Sequence, residues 1–261
     1  MRIARFTTGS DPRYAVVEDG SNDLVVLSGD PLYSPLQSTG ERVALDEARL
    51  LAPVIPRSKV IGVGKNYAAH AEEMGGSVPE EPLLFLIPNT AVVGPDDPIV
   101  LPAYSTHVEH EAELAVVISR ICKDISVDQA ESVIFGYTAA NDVTARDAQR
   151  SDTTWARGKG WDTSCPLGPF LVMDLDVGDL GVTARVDGEV RQDGRTKDMV
   201  YSVAELVAYA SSVFTLLPGD VILTGTPAGV GPLEHGQRVE VEVEGIGTLS
   251  NPVLRRESPY S

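Results

Sequence analysis

The chain has 261 residues, 43% hydrophobic and 23% charged. This is the composition of a globular protein, and it excludes collagen-like, coiled-coil and disordered chains. Its 38 acidic and 21 basic residues give a formal net charge of −17, which argues against nucleic acid or an anionic membrane surface as a partner. No apolar signal region, no run near the ~20 apolar residues of a membrane span and no disulfide or zinc pattern is evident. We therefore expect a cytoplasmic protein.

Residues 1–56 are predicted to form a small β-rich domain. Apolar runs at Tyr14–Val17 and Asp23–Leu27 are separated by Gly, Asp, Ser and Pro, the pattern of short strands broken by turns. Pro53 and Pro56 disfavour a helix and favour an extended linker. A second, larger domain is therefore predicted over residues 57–261.

The larger domain is predicted to contain few, short helices. Two of them follow a capping box, in which a serine and a Gln or Glu three residues later satisfy each other's backbone N–H groups. These pairs are Ser126 with Gln129 and Ser202 with Glu205. The predicted helices cover residues 67–74, 130–135 and 206–217.

Strands dominate the rest of this domain. Asp187-Gly188 predicts a type I′ turn between two strands of a hairpin, and valines alternating with glutamates over residues 239–244 predict a strand with one solvent face. Strands outnumber helices and do not alternate with them. The predicted fold class is therefore α+β, with a β-rich roll or mixed β-sandwich core and no Rossmann sheet.

Two glutamates that precede an apolar run are the first candidate site. Glu111 and Glu113 are two residues apart and share one face of a strand, directly before Leu114–Ile118. Buried together, their carboxylates would repel each other unless a cation compensated them, and oxygen ligands suit Mg²⁺, Mn²⁺ or Ca²⁺. The alternative is an edge strand with an acidic face in water. Spacing alone leaves both open.

Further polar residues can each be interpreted either as part of a functional site or as a common structural feature. His70 and Glu73 are neighbours on the first predicted helix, either as an oriented base or as a surface ion pair. Asp142 follows an apolar stretch and is either a ligand or the N-cap of the next helix. Lys159 lies between two glycines, where solvent exposure is the default expectation.

A glycine-rich loop at residues 223–231 offers backbone N–H groups to an anion. It lacks the lysine of a P-loop, and Gly62-Val63-Gly64 lacks the third glycine of a dinucleotide fingerprint, since Tyr67 occupies that place. Nucleotide cofactors are therefore not indicated. Cys165 is interpreted as an inert buried thiol.

Several of these segments, in this order, resemble the fumarylacetoacetate hydrolase family. The likeness runs from Lys59 to about Val253. The segments that carry it are Gly64-Lys65-Asn66-Tyr67-Ala68-Ala69-His70, His110-Glu111-Ala112-Glu113-Leu114, Asn141-Asp142-Val143-Thr144-Ala145-Arg146-Asp147, Gly158-Lys159 and Leu217-Pro218-Gly219-Asp220-Val221-Ile222-Leu223-Thr224-Gly225-Thr226-Pro227.

The resemblance implies a β-rich roll around a Mg²⁺ or Mn²⁺ site, with Ca²⁺ as a substitute in crystals, usually in a homodimer. It places every catalytic group in residues 57–261. By the matching positions, the metal ligands are Glu111, Glu113 and Asp142. The catalytic residues are His70, Glu73 and Lys159, and the substrate-binding residues are Arg146, Gln149 and Thr226. Glu109 matches no assigned role.

The resemblance also implies a reaction class. The expected substrates are 2-oxo acids or their enols, and the expected reaction is cleavage of a C–C bond through an enolate, as in acylpyruvate or fumarylpyruvate hydrolysis or oxaloacetate decarboxylation. One alternative is a 2-hydroxyhepta-2,4-diene-1,7-dioate isomerase or a 5-carboxymethyl-2-oxo-hex-3-ene-1,7-dioate decarboxylase of aromatic catabolism. The other is a catalytically idle small-molecule binding protein on the same scaffold.

Overall fold

A computed structural model describes residues 1–21 and 23–255. It is strand-rich with few short helices, which confirms the predicted α+β class. Its strands are β1 (Arg2–Thr7), β2 (Arg13–Val17), β3 (Leu24–Leu27), β4 (Ser38–Val43), β5 (Arg49–Leu51), β6 (Val60–Gly64), β7 (Leu83–Ile87), β8 (Val92–Val93), β9 (Ile99–Leu101), β10 (Val108–Glu109), β11 (Ala112–Ile118), β12 (Ile134–Asn141), β13 (Thr144–Ala145), β14 (Cys165–Val172), β15 (Gly181–Val186), β16 (Glu189–Arg195), β17 (Val221–Leu223), β18 (Arg238–Val243) and β19 (Gly247–Arg255). Its helices are α1 (Ala68–Glu73), α2 (Arg146–Ser151), α3 (Ala156–Lys159) and α4 (Val203–Val213), with 3₁₀ helices at Leu45–Glu47, Asn89–Ala91, Val127–Val133 and Thr196–Asp198.

Two sheets pack face to face. The large sheet has the order β4-β3-β2-β1-β14-β12-β11-β17-β6-β7, and the smaller has the order β16-β15-β18-β19-β9. Leu114 and Val116 of β11 share one core with Val182 of β15 and Val241 of β18. The opposite face of β11, which carries Ala115, is buried in a second cluster. Because β11 is covered on both faces, anything polar at its start lies next to a closed core.

The N-terminal strands continue the large sheet. β1 pairs antiparallel with β14, in the register Arg2 with Val172. The proline-rich segment after β5 forms neither a helix nor a strand over residues 52–58, and Ala52, Pro53 and Val54 are buried against the core. Residues 1–56 therefore share a sheet with the rest of the chain, and the division of the chain at residue 56 stays a prediction.

The local turn and cap predictions agree with the structure at two places. Asp187 and Gly188 have φ values of 50° and 81°, the positive pair that a type I′ turn needs, and Val186 pairs with Glu189 across the hairpin. The capping box of Ser202 and Glu205 is formed at the start of α4. Short-range signals were sufficient where the turn or cap is decided by its own side chains.

Helix extents were predicted less well. The segment after Ser126 is a 3₁₀ helix at Val127–Val133, so the predicted helix over 130–135 ends two residues too late, because Ile134 already pairs with β11. α4 ends four residues earlier than predicted, because Leu216 exchanges backbone hydrogen bonds with Cys122. In both cases a long-range backbone partner ended the helix.

Candidate metal centre and active site

Three buried carboxylates meet where β11 begins and β12 ends. Ala112 pairs with Asn141, and the Asp142 backbone N–H donates to the Glu111 carbonyl at 2.9 Å. Glu111, Glu113 and Asp142 each offer an oxygen within 4.8 Å of the others, and all three residues are at most 4% exposed. The edge-strand alternative for the two glutamates is therefore wrong.

Asp142 does not cap a helix. The N-cap of α2 is Ala145, and the Asp142 carboxylate instead accepts a hydrogen bond from Lys159 Nζ at 2.7 Å. Lys159 also donates to Glu111 Oε2 at 2.7 Å. The default expectation that Lys159 is exposed is wrong, because it ends α3 and is only 2% exposed. The Phe85 ring covers its ammonium group, with 5.3 Å from Nζ to the ring centroid.

Arg146 supplies the second buried cation. Its Nε lies 2.5 Å from Glu109 Oε2 and its Nη2 lies 2.6 Å from Glu111 Oε1. Its Nη1 donates to Gln149 Oε1 at 3.0 Å. The resemblance assigned Glu109 no role, and the structure makes it a counter-ion of Arg146 that also contacts His107 Nε2 at 2.7 Å.

Burial and these contacts shift the pKa values of the three carboxyl groups in different directions. Burial acts to raise the pKa of Glu111, but the Lys159 ammonium and the Arg146 guanidinium prevail and lower it to about 2. Burial and the neighbouring carboxylates of Asp142 and Glu111 raise the pKa of Glu113 well above its ordinary range. Burial and the Glu111 carboxylate, opposed by Lys159, raise the pKa of Asp142 to about 6.

The residues of the centre fit a divalent cation. Among the described residues, four carboxyl groups, including Glu109, share two buried cations, Lys159 and Arg146, so all four can be ionised together only if further positive charge is bound. Asp142 Oδ1 is buried without a hydrogen-bond partner among the described residues. An oxygen-only donor set suits Mg²⁺ or Mn²⁺ better than zinc. The three converging carboxylates would hold such an ion.

His70 and Glu73 form a second polar pair, and His70 lines the same cavity as Glu111 and Glu113. His70, on α1, is 5% exposed, and its Nδ1 lies 3.1 Å from Glu73 Oε2. Glu73 Oε1 accepts from the Gly229 backbone N–H at 3.0 Å. With Nδ1 protonated toward Glu73, Nε2 is the basic nitrogen of the imidazole. The pair is therefore able to take up and release a proton.

The cavity between these groups has a volume of about 230 Å³. Phe85 and Trp155 form part of its wall, with ring centroids 5.4 Å apart in an edge-to-face contact. Arg146, Gln149 and Thr226, the residues matched to substrate binding, also line it. Its lining residues, as far as the structure describes the chain, all lie between residues 63 and 226.

The glycine-rich loop uses its backbone for the protein's own carboxylates. The Gly225 N–H donates to Glu113 Oε2 at 2.6 Å. Gly225 has a φ of 95°, and a Cβ there would lie 2.7 Å from Asn66 Cβ, so the turn requires glycine. The predicted anion cradle therefore has an anion within the chain: Gly225 holds Glu113 as Gly229 holds Glu73.

Sequence reasoning missed residues that act across long separations. Asn141 Oδ1 accepts from the Glu111 backbone N–H at 2.9 Å, and Gln192 Oε1 accepts from the Ala112 N–H at 2.9 Å. Asn141 could have been found from its place beside Asp142. Gln192 lies in a polar hairpin strand, where its sequence gives no sign that it is buried.

Cys122 and Cys165 are buried and unpaired, and burial raises the pKa of the Cys165 thiol well above its ordinary value.

No helix in the described part of the chain is long and apolar enough to cross a membrane.

Comparison with known proteins agrees with this architecture. The family model "Fumarylacetoacetate (FAA) hydrolase C-terminal" matches residues 59–254, and the model "Rv2993c-like, N-terminal" matches residues 1–53. The chain is 53% identical to Protein Rv2993c of Mycobacterium tuberculosis over 99% of this chain and 100% of that protein. It is 44% identical to the human mitochondrial oxaloacetate tautomerase FAHD2A over 80% of this chain and 70% of that protein.

Solved structures give the same result. The crystal structure of 5-carboxymethyl-2-hydroxymuconate delta-isomerase from Mycobacterium smegmatis is 49% identical, covers 98% of this chain and 100% of its own, and superimposes with a TM-score of 0.91. Fumarylpyruvate hydrolase from Pseudomonas aeruginosa, solved with Mn²⁺ and pyruvate, is 36% identical over 80% of this chain and 92% of its own, with a TM-score of 0.73. The resemblance inferred from the motifs is confirmed, and the chain belongs to the fumarylacetoacetate hydrolase family of enzymes.

Proposed function

We propose that the protein is a Mg²⁺- or Mn²⁺-dependent enzyme that acts on 2-oxo acids or their enols through an enolate. The observation that carries the proposal is the buried acidic centre, in which four carboxyl groups share two buried cations, beside a cavity that His70 also lines. The relative solved with Mn²⁺ and pyruvate, a 2-oxo acid, supports it.

A metal bound by Glu111, Glu113 and Asp142 would stabilise the negative charge that develops on the 2-oxo oxygen. Side chains of the protein supply the further charge stabilisation, the exclusion of water and the proton transfer. Lys159, held between Glu111 and Asp142, keeps a positive charge beside the reacting oxygen. Phe85 and Trp155 reduce the access of water to this region. His70, oriented by Glu73, moves a proton at Nε2.

We propose two reactions for this site. The first is cleavage of a C–C bond, by hydrolysis of an acylpyruvate or fumarylpyruvate or by decarboxylation of oxaloacetate, since an oriented imidazole can activate water for the hydrolysis. The second is a proton shift next to the 2-oxo group. It is favoured by the names of two close relatives, an oxaloacetate tautomerase and a delta-isomerase. Both reactions pass through the same enolate, so oxaloacetate is the first substrate to test.

The test is a screen with Mg²⁺ or Mn²⁺ of oxaloacetate, acetylpyruvate, fumarylpyruvate and 2-hydroxyhepta-2,4-dienedioate. Loss of enol absorbance reports the proton shift, and release of pyruvate reports cleavage. Turnover that disappears with a chelator and returns with the metal is the expected result. A folded protein that binds the metal and turns over none of these compounds would contradict the proposal and favour an idle binding protein.

The role of His70 can be separated from that of the metal. Hydrolysis needs an activated water, whereas loss of CO₂ from oxaloacetate needs only an acceptor for the electrons. We expect His70→Ala to reduce acylpyruvate hydrolysis by at least about a hundredfold and decarboxylation by less. Equal losses in both reactions, with metal affinity intact, would show that His70 serves the enolate and not the water.

A matched pair of variants on α1 tests the orientation of His70. Glu73→Gln removes the charge that faces the imidazole, whereas Glu72→Gln changes an exposed neighbour on the same helix. Only Glu73→Gln should reduce turnover. If both variants behave alike, the contact between His70 and Glu73 has no part in the reaction.

A further inference from the structure

Gln192 is a polar side chain buried inside an otherwise half-buried or exposed strand. It is fully buried, and it is the one buried residue of β16. Both ends of its amide are satisfied. Oε1 accepts from His110 Nδ1 and from the Ala112 N–H, each at 2.9 Å. Nε2 donates to Thr226 Oγ1 and to the Pro227 carbonyl, each at 2.7 Å.

The polarity of the partners fixes the orientation of this amide. A backbone N–H can only donate, so the Gln192 oxygen must face Ala112, and a carbonyl can only accept, so the nitrogen must face Pro227. His110 then has to carry its proton on Nδ1. If the amide were flipped, its nitrogen would face the Ala112 N–H and its oxygen would face the Pro227 carbonyl. Gln192 therefore holds one arrangement, and its four hydrogen bonds reach two separate segments of the chain.

The first of these segments carries two of the proposed metal ligands. Ala112 lies between Glu111 and Glu113, and the backbone of this residue is held at both its N–H and its carbonyl. Gln192 accepts from its N–H, and Thr226 Oγ1 donates to its carbonyl at 2.8 Å. Since Gln192 also donates to that same hydroxyl, the three groups form a closed set of hydrogen bonds.

The second segment is the glycine-rich loop. Its Gly225 N–H holds Glu113, and its Gly229 N–H holds Glu73. β16 packs closely against this loop, since a Cβ on Gly229 would lie 2.2 Å from the Arg191 carbonyl oxygen. The contact of Gln192 with Thr226 and Pro227 therefore joins this loop to the start of β11.

We propose that Gln192 is a positioning residue for the metal centre. Resting on the proposed function, its role is to hold the backbone of Ala112, and with it the spacing of Glu111 and Glu113 that the ion requires, and to keep Thr226 in place at the cavity wall. Gln192 does not line the cavity, so its proposed role is to act through Ala112 and Thr226. Residues that orient metal ligands in this way typically change metal affinity or activity 10- to 100-fold when mutated.

The test measures Mn²⁺ affinity of the full chain without substrate, from the electron paramagnetic resonance signal of free Mn²⁺. Gln192→Met keeps the length of the side chain and removes all four hydrogen bonds. We expect the Kd for Mn²⁺ to rise about 10- to 100-fold. Val186→Ala is the control: it lies on the partner strand of the same hairpin, in a core cluster that contains none of the site residues. It should lower stability and leave the Kd within about twofold of wild type, because the ligand spacing is unchanged.

A second variant keeps the proposal testable if Gln192→Met does not fold. Thr226→Val removes the hydroxyl that holds the Ala112 carbonyl, and it should raise the Kd for Mn²⁺ in the same direction by a smaller factor. The double variant should lose less Mn²⁺ binding free energy than the sum of the two single losses, because both side chains hold the backbone of Ala112 and contact each other.

The outcomes separate this role from the proposed function. Wild type that binds Mn²⁺ and turns over 2-oxo acids, with Gln192→Met or Thr226→Val binding Mn²⁺ equally well, overturns the positioning role alone. A Kd raised as much by Val186→Ala as by Gln192→Met also overturns it. Wild type that binds no Mn²⁺ overturns both.

Discussion

Two stretches of this chain carry the same pattern of glutamates two residues apart in a strand, and they have opposite surroundings. Glu111 and Glu113 are at most 4% exposed, at the start of a strand covered on both faces. Glu240 and Glu242, on β18, are half-buried, and Glu244 just after the strand is exposed. Their valine neighbours face the core, while the glutamates point outward.

The counter-ions differ as well. Glu242 meets Arg185 at 2.7 Å, but both side chains are substantially exposed, at 45% and 32%. Water and salt screen such a pair. Lys159 and Arg146 are buried together with more carboxyl groups than these two cations can neutralise when all of them are ionised. The comparison teaches that the spacing of the carboxylates allows a metal site, and that burial with too few cations creates the need for the ion.

Removing the buried ammonium should have the largest effect. In a chelator, Lys159→Met leaves Glu111 and Asp142 buried without their shared cation, and we expect it to cost about 3–5 kcal/mol of stability. The matched change on the exposed strand, Arg185→Met, should cost less than about 1 kcal/mol. Urea unfolding measures both. Similar costs for the two variants would contradict the distinction between the regions.

The response to metal should separate the two pairs of glutamates. A ligand that binds only the native state increases the free energy of unfolding by about 2.7 kcal/mol at a hundredfold excess over its Kd. Mg²⁺ or Mn²⁺ should therefore raise the melting temperature of wild type. Glu113→Gln should abolish this rise together with turnover, because a proposed ligand is lost. Glu242→Gln should keep both. A rise that survives in Glu113→Gln would place the ion elsewhere.

Asp147 tests a carboxylate that forms no salt bridge within the described residues and is held instead by hydrogen bonds. Burial acts to raise its pKa, but hydrogen bonds from Ser105 Oγ and from the backbone N–H groups of Thr106 and Ala148 lower it to about 2. A carboxylate with a depressed pKa stabilises the fold above its unfolded pKa, near 3.8, and loses that contribution as the pH falls through about 2.

We therefore expect Asp147→Asn to cost about 1–2 kcal/mol at pH 7, with a difference from wild type that shrinks steadily below pH 4. Denaturant unfolding at pH 7, 4 and 2.5 measures it. A difference that does not change with pH would mean that the charge of Asp147 contributes nothing and that only its shape matters.

The smallest effect is expected for the pair of Arg185 and Glu242 itself. A double-mutant cycle should give a coupling of about 0.2–1 kcal/mol that decreases in high salt, because both groups are in contact with water. Thermal unfolding in low and high salt measures it. A coupling that is large and insensitive to salt would show that exposure does not decide the strength of ion pairs in this protein.

Local sequence signals predicted what neighbouring residues decide. The turn at Asp187-Gly188, the capping box of Ser202 and Glu205 and the alternation along β18 depend on side chains within a few residues of one another. The ordered motifs identified the family over nearly the range that the family model matches. The ends of the helices were missed because distant strands compete for the same backbone groups.

The sequence by itself determined the fold class, the family and the set of carboxylates from which a metal site could be built. Only the tertiary structure decided which charges are buried together. Lys159 meets Glu111 across 48 positions, Gln192 meets Ala112 across 80, and the Gly225 N–H meets Glu113 across 112. No local pattern encodes such contacts, because they form only when two sheets close over β11. The same closure excludes water from the four carboxyl groups, and it is this burial that makes an added cation favourable at the site.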